Sequence, residues 1–425
     1  MSRADGPQAV IDRLITCSRR ADITLRARCV IGNQGLPLDG GWVRLRAGRV
    51  IAVGRRPPGC AAIDLGDVLL MPGLVNAHTH LEFSTIGTPV PPQPPGGLAG
   101  WIPAVVSARR QAARSETATA LLAGLRESAA AGVTLLGEIA TADPVLAYPE
   151  RNVPKVRVFR ECLGLGPHRI EGSLAALRRG LDRLPDHAAG LSPHAPYSVH
   201  ASLAKRLVDV AVRRRLPVVV HLAESREERE LIEQGRGAFR QLLESIGAWP
   251  TPPPKFLSAA DWISLACRAP RAAFVHASFV DDLALARLAR HRRRAAVIVC
   301  PRTALLISGT IAPLRRLLDA GIRVAIGTDG RGSAPDLSPL NEARTLIDRG
   351  LISPREALEM VTTSAAWAIA CEQVAGQIAP GRPANLAILR PQQHSRDPFD
   401  DAFAPTTRVV ATLRGGCPIH SNVES

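Results

Sequence analysis

From Leu69 onward, short β-branched runs alternate with longer amphipathic stretches, and that rhythm leaves few folds open. Eight runs read as strands: Leu69–His78, Val133–Ile139, Val156–Glu161, Gly190–His194, Pro217–Leu222, Ala273–His276, Ala296–Cys300 and Arg323–Gly327. Eight strand-helix units over roughly 300 residues predict an α/β fold of the (β/α)8 TIM-barrel type, spanning residues 69–375. The text on either side is different. Residues 23–68 and 376–416 read as short strands broken by Gly and Pro, with Ile23–Val30, Gly41–Arg46, Arg49–Val53, Ala384–Leu389 and Thr407–Arg414 as candidates. The two segments are expected to close into one small β-sandwich beside the barrel, and residues 1–22 to form a polar N-terminal extension.

With 46% apolar residues among 425, the chain can fill a sizeable core, which excludes disorder as its overall state. Its densest apolar stretches, Val68–Leu74 and Leu216–Ala223, fall well short of the roughly 18 residues a membrane span needs. A formal charge of +15 raises the question of nucleic acid. Only three of the 53 basic residues are lysines, however, and the arginine runs 213–215 and 292–294 stand where helix ends are expected. Arginine there is favoured by the helix dipole, so no nucleic-acid partner is inferred. Eight widely spaced cysteines without a CxxC pair argue for reduced thiols, a cytoplasmic location and no cysteine-bound zinc. The expected partner is a small-molecule substrate, and a homodimer is compatible with the sequence.

In such barrels the loops at the C-terminal ends of the strands converge on one mouth, which carries the active site. Five of the eleven histidines fall at those ends: His78 and His80 on the first strand, His194 on the fourth, His221 on the fifth and His276 on the sixth. Asp329 closes the eighth. On a strand, residues two apart face one side, so His78 and His80 can point at one ion. His221 and Asp329 would complete a mixed nitrogen and oxygen shell with one position left for water, a shell suited to zinc or ferrous iron. The pKa of water bound there falls toward about 7. Glu224, three residues beyond His221, is placed as the proton shuttle, and His276 to hold or deprotonate the water. The alternative for Glu224 is a solvated charge at a helix start, since Ser225, Arg226, Glu227 and Glu228 follow it. Residues 89–97, PVPPQPPGG, follow the first strand and are expected over the mouth.

The segments MPGLVNAHTHLEFS, HLAES, VHASF, CPRTALL and GTDGRGSAPDLSPLNEAR together resemble the amidohydrolase superfamily, in its mononuclear deaminase branch with S-adenosylhomocysteine, guanine and cytosine deaminases and related chlorohydrolases. The resemblance implies one divalent metal ion, zinc ahead of iron, on His78, His80, His221 and Asp329, with Glu224 and His276 handling protons. Binuclear members carry a bridging lysine at the end of the fourth strand, where this chain has His194 within SPHAPYS, so a one-metal site is implied. The same resemblance makes His194 a substrate contact. Near Trp101, Gly100 stands where S-adenosylhomocysteine deaminases present a glutamate to the ribose, a departure from their pattern. HTHLEFS, SPHAPYS and HLAESREERE look like bacterial aminodeoxyfutalosine deaminases of menaquinone biosynthesis, with Glu82, Trp101, Arg226 and Glu227 as further candidates to line the pocket. The implied activity is hydrolytic deamination of an amino-purine nucleoside; triazine amino- or chlorohydrolysis, a guanine or cytosine deaminase, and a scaffold without catalysis are the alternatives.

Overall fold

The protein is described here by a computed structural model covering residues 22–32, 37–55, 59, 61–94, 96–112, 117–141, 148–149 and 151–421. The expected extension, apart from Asp22, lies outside these residues, as do Cys17, Cys60 and Pro95.

Eight parallel strands form the central sheet: β1 (Leu74–Thr79), β2 (Val133–Ala140), β3 (Lys155–Cys162), β4 (Ala189–Pro193), β5 (Val218–Leu222), β6 (Ala272–His276), β7 (Ala295–Val299) and β8 (Arg323–Ile326). Each lies beside its neighbour in sequence. Because side chains alternate along a strand, two apolar layers result. Val219, Ala273, Val275, Ala296 and Ile298 join one cluster. Val218, Val220, Phe274, Val297 and Val299 join the other, which includes Leu203, Leu207, Trp262, Leu288 and Leu346 from the surrounding helices.

The ends of the sheet meet where β1 and β8 adjoin. Thr328 N and Asp329 N donate to the His78 carbonyl at 3.0 and 3.1 Å, and His80 N donates to the Asp329 carbonyl at 3.2 Å. Asn76 Nδ2 adds a bond to Thr328 Oγ1 at 2.7 Å. The approach is so close that a Cβ on Gly327 would stand 2.7 Å from the His78 Cβ and 2.9 Å from its backbone N and O, a space that glycine alone fits. This seam brings the ligand-type residues of the first and last strands together.

The first strand differs from the expectation. Leu69–His78 is one apolar run in sequence but two strands in space: Leu69–Pro72 pairs with Leu386–Arg390 and Cys29–Val30 outside the barrel, and β1 begins at Leu74. Pro72 and Gly73 make the break. Both pieces are buried throughout, so no change of pattern marks the boundary. Ile23–Val30 likewise splits, Asp22–Arg26 joining a four-stranded sheet and Cys29–Val30 a six-stranded one. The six-stranded sheet also takes in Arg408–Arg414 and Cys417–Ser421, the latter beyond the expected segment. Leu25, Val43, Leu45 and Val50 pack with Leu70, Leu386, Ile388 and Leu413, so both chain ends share the core of a small sandwich.

The arginine runs stand at helix ends. Arg213 and Arg214 occupy the last turn of the helix Ala201–Arg214, and Arg215 caps it in the left-handed conformation. Arg214 also pairs with Asp182 at 3.0 Å and Asp186 at 2.7 Å. The six described cysteines are all free. Among the described residues no helix is long and apolar enough to cross a membrane.

Candidate active site

The structure brings His78, His80, His221, His276, Glu224 and Asp329 to one buried cluster at the C-terminal ends of the strands. Asp329 Oδ1 lies 3.7 Å from His78 Nε2 and 3.6 Å from His80 Nε2. His80 Nε2 and His221 Nε2 are 3.4 Å apart. The ligand atoms of His78, His80 and His221 all lie within 4.8 Å of one another, and Asp329 stands beside the first two.

A metal ion fits them. Neither ring nitrogen of His78 has a hydrogen-bond partner, although the residue is fully buried, and an unpaired buried imidazole is costly without an ion to receive its lone pair. His221 Nδ1 donates to the His194 carbonyl at 3.0 Å, which fixes its tautomer and leaves Nε2 bare toward the cluster. Burial pushes the pKa of His80 down to about 3 and of His221 down to about 4, and lowers His78 as well, so all three are neutral, as ligands must be. Burial alone would raise the Asp329 carboxyl, but its place against the rings of His78, His80 and His276 holds it below the ordinary carboxylate range. Ser333 Oγ donates to Asp329 Oδ2 at 2.9 Å, and Thr303 Oγ1 lies 2.8 Å from Ser333 Oγ, so the carboxylate is oriented from behind.

Glu224 is not a solvated helix-start charge. It lies in the turn between β5 and the helix Arg226–Gln234, only 8% exposed, with Oε1 3.4 Å from His276 Nε2. Burial, followed by the neighbouring carboxylates of Asp329 and Glu228, pushes its pKa well up, which favours a carboxyl that can give a proton. His276 is pushed far down by burial and stays neutral. Ala223, His276, Ala277 and Asp329 all have positive φ, between 51° and 72°. Backbone strain of this kind collects at functional sites, where surrounding structure over-determines it.

Three residues of this centre went unread in the sequence. Glu228 is one: its carboxylate accepts from Ala223 N at 3.1 Å and Glu224 N at 2.7 Å, while its own N donates to the Ser225 cap. It stands four residues after Glu224 and looked like one more helix-start charge. Glu228→Ala strands two buried N–H groups, each worth about 1–3 kcal/mol. The expected result is a lower melting temperature and a kcat reduced about tenfold or more with little change in KM; unchanged kcat in a folded variant contradicts this positioning role. Ser333, four residues after Asp329, is the second. The third is Glu161 at the end of β3, whose side-chain oxygen lies within 4.8 Å of ring nitrogens of His194 and His221.

The remaining candidates are placed more loosely. His194 follows β4, its Nδ1 2.6 Å from Ser198 Oγ and its ring 5.1 Å from that of His221. Glu82 is buried but engaged, accepting from Thr141 Oγ1 at 2.6 Å and pairing with Arg109 at 2.5 Å. Trp101, on the helix Gly97–Ala112, has a buried Nε1 without a partner. Arg226 is exposed, its guanidinium 5.7 Å from the Phe279 ring, and no contact joins it to the cluster. Glu227 follows it in the first turn of the helix Arg226–Gln234. The proline-rich segment is tied to the mouth side through Val90 N, which donates to the Gly332 carbonyl at 2.8 Å beyond β8.

The chain is 26% identical over 400 residues to the 5-methylthioadenosine/S-adenosylhomocysteine deaminase of Pyrococcus furiosus, covering 88% of this chain and 87% of that one. Its fold matches Helicobacter pylori aminofutalosine deaminase in complex with methylthio-coformycin, with a TM-score of 0.79 at 24% identity over 93% of this chain and 99% of the other. It also matches atrazine chlorohydrolase from Arthrobacter aurescens complexed with zinc, with a TM-score of 0.72 at 18% identity over 94% and 95% of the two chains. The amidohydrolase family model matches residues 69–419, from the last sandwich strand before the barrel through the returning C-terminal strands, and the chain belongs to the amidohydrolase family.

Proposed function

We propose that the protein is a metal-dependent aminohydrolase that removes ammonia from a 6-aminopurine nucleoside carrying a bulky 5′ substituent. The observation that carries the reading is the convergence of three histidines, with Asp329 against two of them, beside a buried Glu224 whose pKa burial pushes well up. His78, His80, His221 and Asp329 would hold one divalent ion, zinc ahead of iron, which supplies Lewis acidity and an activated water at neutral pH. Glu224 would give its proton to the ring nitrogen beside the amino-bearing carbon, take one back from the attacking water and pass it to the departing amine, so that the C–N bond breaks after the C–O bond has formed and ammonia leaves. His276, 3.4 Å from that carboxyl, holds it toward the reacting centre.

A nucleoside is favoured by what lies next to the histidines. His194 and Tyr197 border a cavity of about 290 Å³ walled by Leu163, Phe239, Leu243 and Trp249. The apolar residues suit a bulky 5′ group, and His168 and Arg169, which also line the cavity, can receive a negative charge on it. Aminodeoxyfutalosine is favoured over S-adenosylhomocysteine by the resemblance of the HTHLEFS and SPHAPYS segments and by Gly100 near Trp101. That assignment would place the enzyme in menaquinone biosynthesis. The test is kcat/KM for ammonia release from aminodeoxyfutalosine, S-adenosylhomocysteine, adenosine, guanine and cytosine, and for chloride release from a chlorotriazine. Aminodeoxyfutalosine is expected to be the best by more than tenfold. Guanine, cytosine or the triazine as best substrate overturns the nucleoside reading.

A further inference from the structure

We infer that Glu161 is a specificity-determining residue that, together with His194, binds a hydroxyl of the nucleoside sugar; the inference rests on the nucleoside reading above. Glu161 lies next to last on β3, with its side chain only 4% exposed. Its Oε1 is buried with no hydrogen-bond partner, and its nearest basic atom is His194 Nε2, 4.0 Å away. That separation is too long for a direct bond, yet one hydroxyl oxygen set between the two atoms reaches both at about 2.8 Å. A hydroxyl also has the right chemistry. It donates to the carboxylate, and it gives to or takes from the imidazole nitrogen in either tautomer.

Position then identifies which hydroxyl. His194 stands between two regions: its ring is 5.1 Å from that of His221 in the metal-ligand cluster, and it borders the apolar cavity on its other side. A nucleoside with its base at the histidines and its 5′ substituent in the cavity must pass its sugar across this pair. The ordinary structural uses of a buried glutamate are absent here. Glu82 accepts from Thr141 and Glu138 from Leu81 N at 3.0 Å, whereas Glu161 has no such bond among the described residues. A second cation on Glu161, His194 and His221 is disfavoured, because His221 gives Nδ1–H to the His194 carbonyl and its one free lone pair faces His80. The pair thus supplies sugar recognition in a chain that has Gly100, with no side chain to offer, near Trp101.

The experiment compares kcat/KM for adenosine, 2′-deoxyadenosine and 3′-deoxyadenosine in the wild type, Glu161→Leu and Glu161→Gln. A site built to pair with a hydroxyl rejects the analogue lacking it, so the wild type is expected to lose at least about 10²-fold on one deoxynucleoside. Glu161→Leu should bring that ratio within about threefold of unity. Glu161→Gln, which keeps a carbonyl acceptor, should retain much of it. Each ratio is taken within one preparation, so the folded fraction cancels; if Glu161→Leu accumulates poorly, Glu161→Ala serves in its place. Wild-type enzyme that accepts both deoxynucleosides within threefold of adenosine, or a Leu variant with the wild-type ratio, overturns the inference and leaves the deaminase reading intact. No turnover of any nucleoside, with turnover of a free base or triazine, overturns both.

Discussion

Glu224→Gln is expected to lower kcat by at least about 10²-fold, and by as much as about 10⁴-fold, with metal content unchanged. The substitution preserves size and hydrogen bonding but removes the transferable proton. Glu224 is 3.4 Å from His276, an atom of a residue that is not among the converging ligands, so its loss should leave the metal shell intact. Burial raises its pKa because the charged form is desolvated, and the carboxylates of Asp329 and Glu228 add to the effect. The amide cannot reproduce that. Activity and metal content measured on one preparation check the result: near-wild-type turnover removes Glu224 from the chemistry, and loss of metal makes it a ligand.

The second large effect is expected from the ligands themselves. His221→Ala removes the bare Nε2 that the His194 carbonyl holds in place, and Asp329→Asn replaces a carboxylate shared by His78 and His80 with a neutral amide. Each variant should lose most of its bound metal and at least about 10³-fold of its activity, in keeping with a site that needs every member of its shell. Ser333→Ala should be milder, about 10-fold, because it removes only the bond that orients Asp329. Full metal occupancy in His221→Ala would place the ion elsewhere.

The ligand-type residues were legible in the sequence because a barrel turns the ends of its strands toward a single mouth. His78, His80, His221 and His276 end strands whose apolar runs are unmistakable, and Asp329 follows the last of them. What the sequence hid was of two kinds. The break at Pro72–Gly73 was hidden because a strand buried in a sandwich and one buried in a barrel carry the same unbroken apolar text. Glu161, Glu228 and Ser333 were hidden because their roles depend on partners in space. Glu228 acts on the backbone of Ala223 and Glu224, Ser333 on Asp329, and Glu161 stands out only because its buried Oε1 has no hydrogen-bond partner. Composition cannot separate such a carboxylate from an ordinary surface charge. Nor could it show that Glu82 is buried and bonded to Thr141 and Arg109.

The most direct test of a one-metal hydrolytic centre is to strip the protein with a chelator and titrate it with zinc while following ammonia release from a 6-aminopurine nucleoside. Stripped enzyme should be inactive, and activity should rise linearly to a break at one equivalent per chain, because His78, His80 and His221 converge with Asp329 beside them and His221 has one lone pair to give. Full activity in the stripped protein, or a break at two equivalents, would contradict the account.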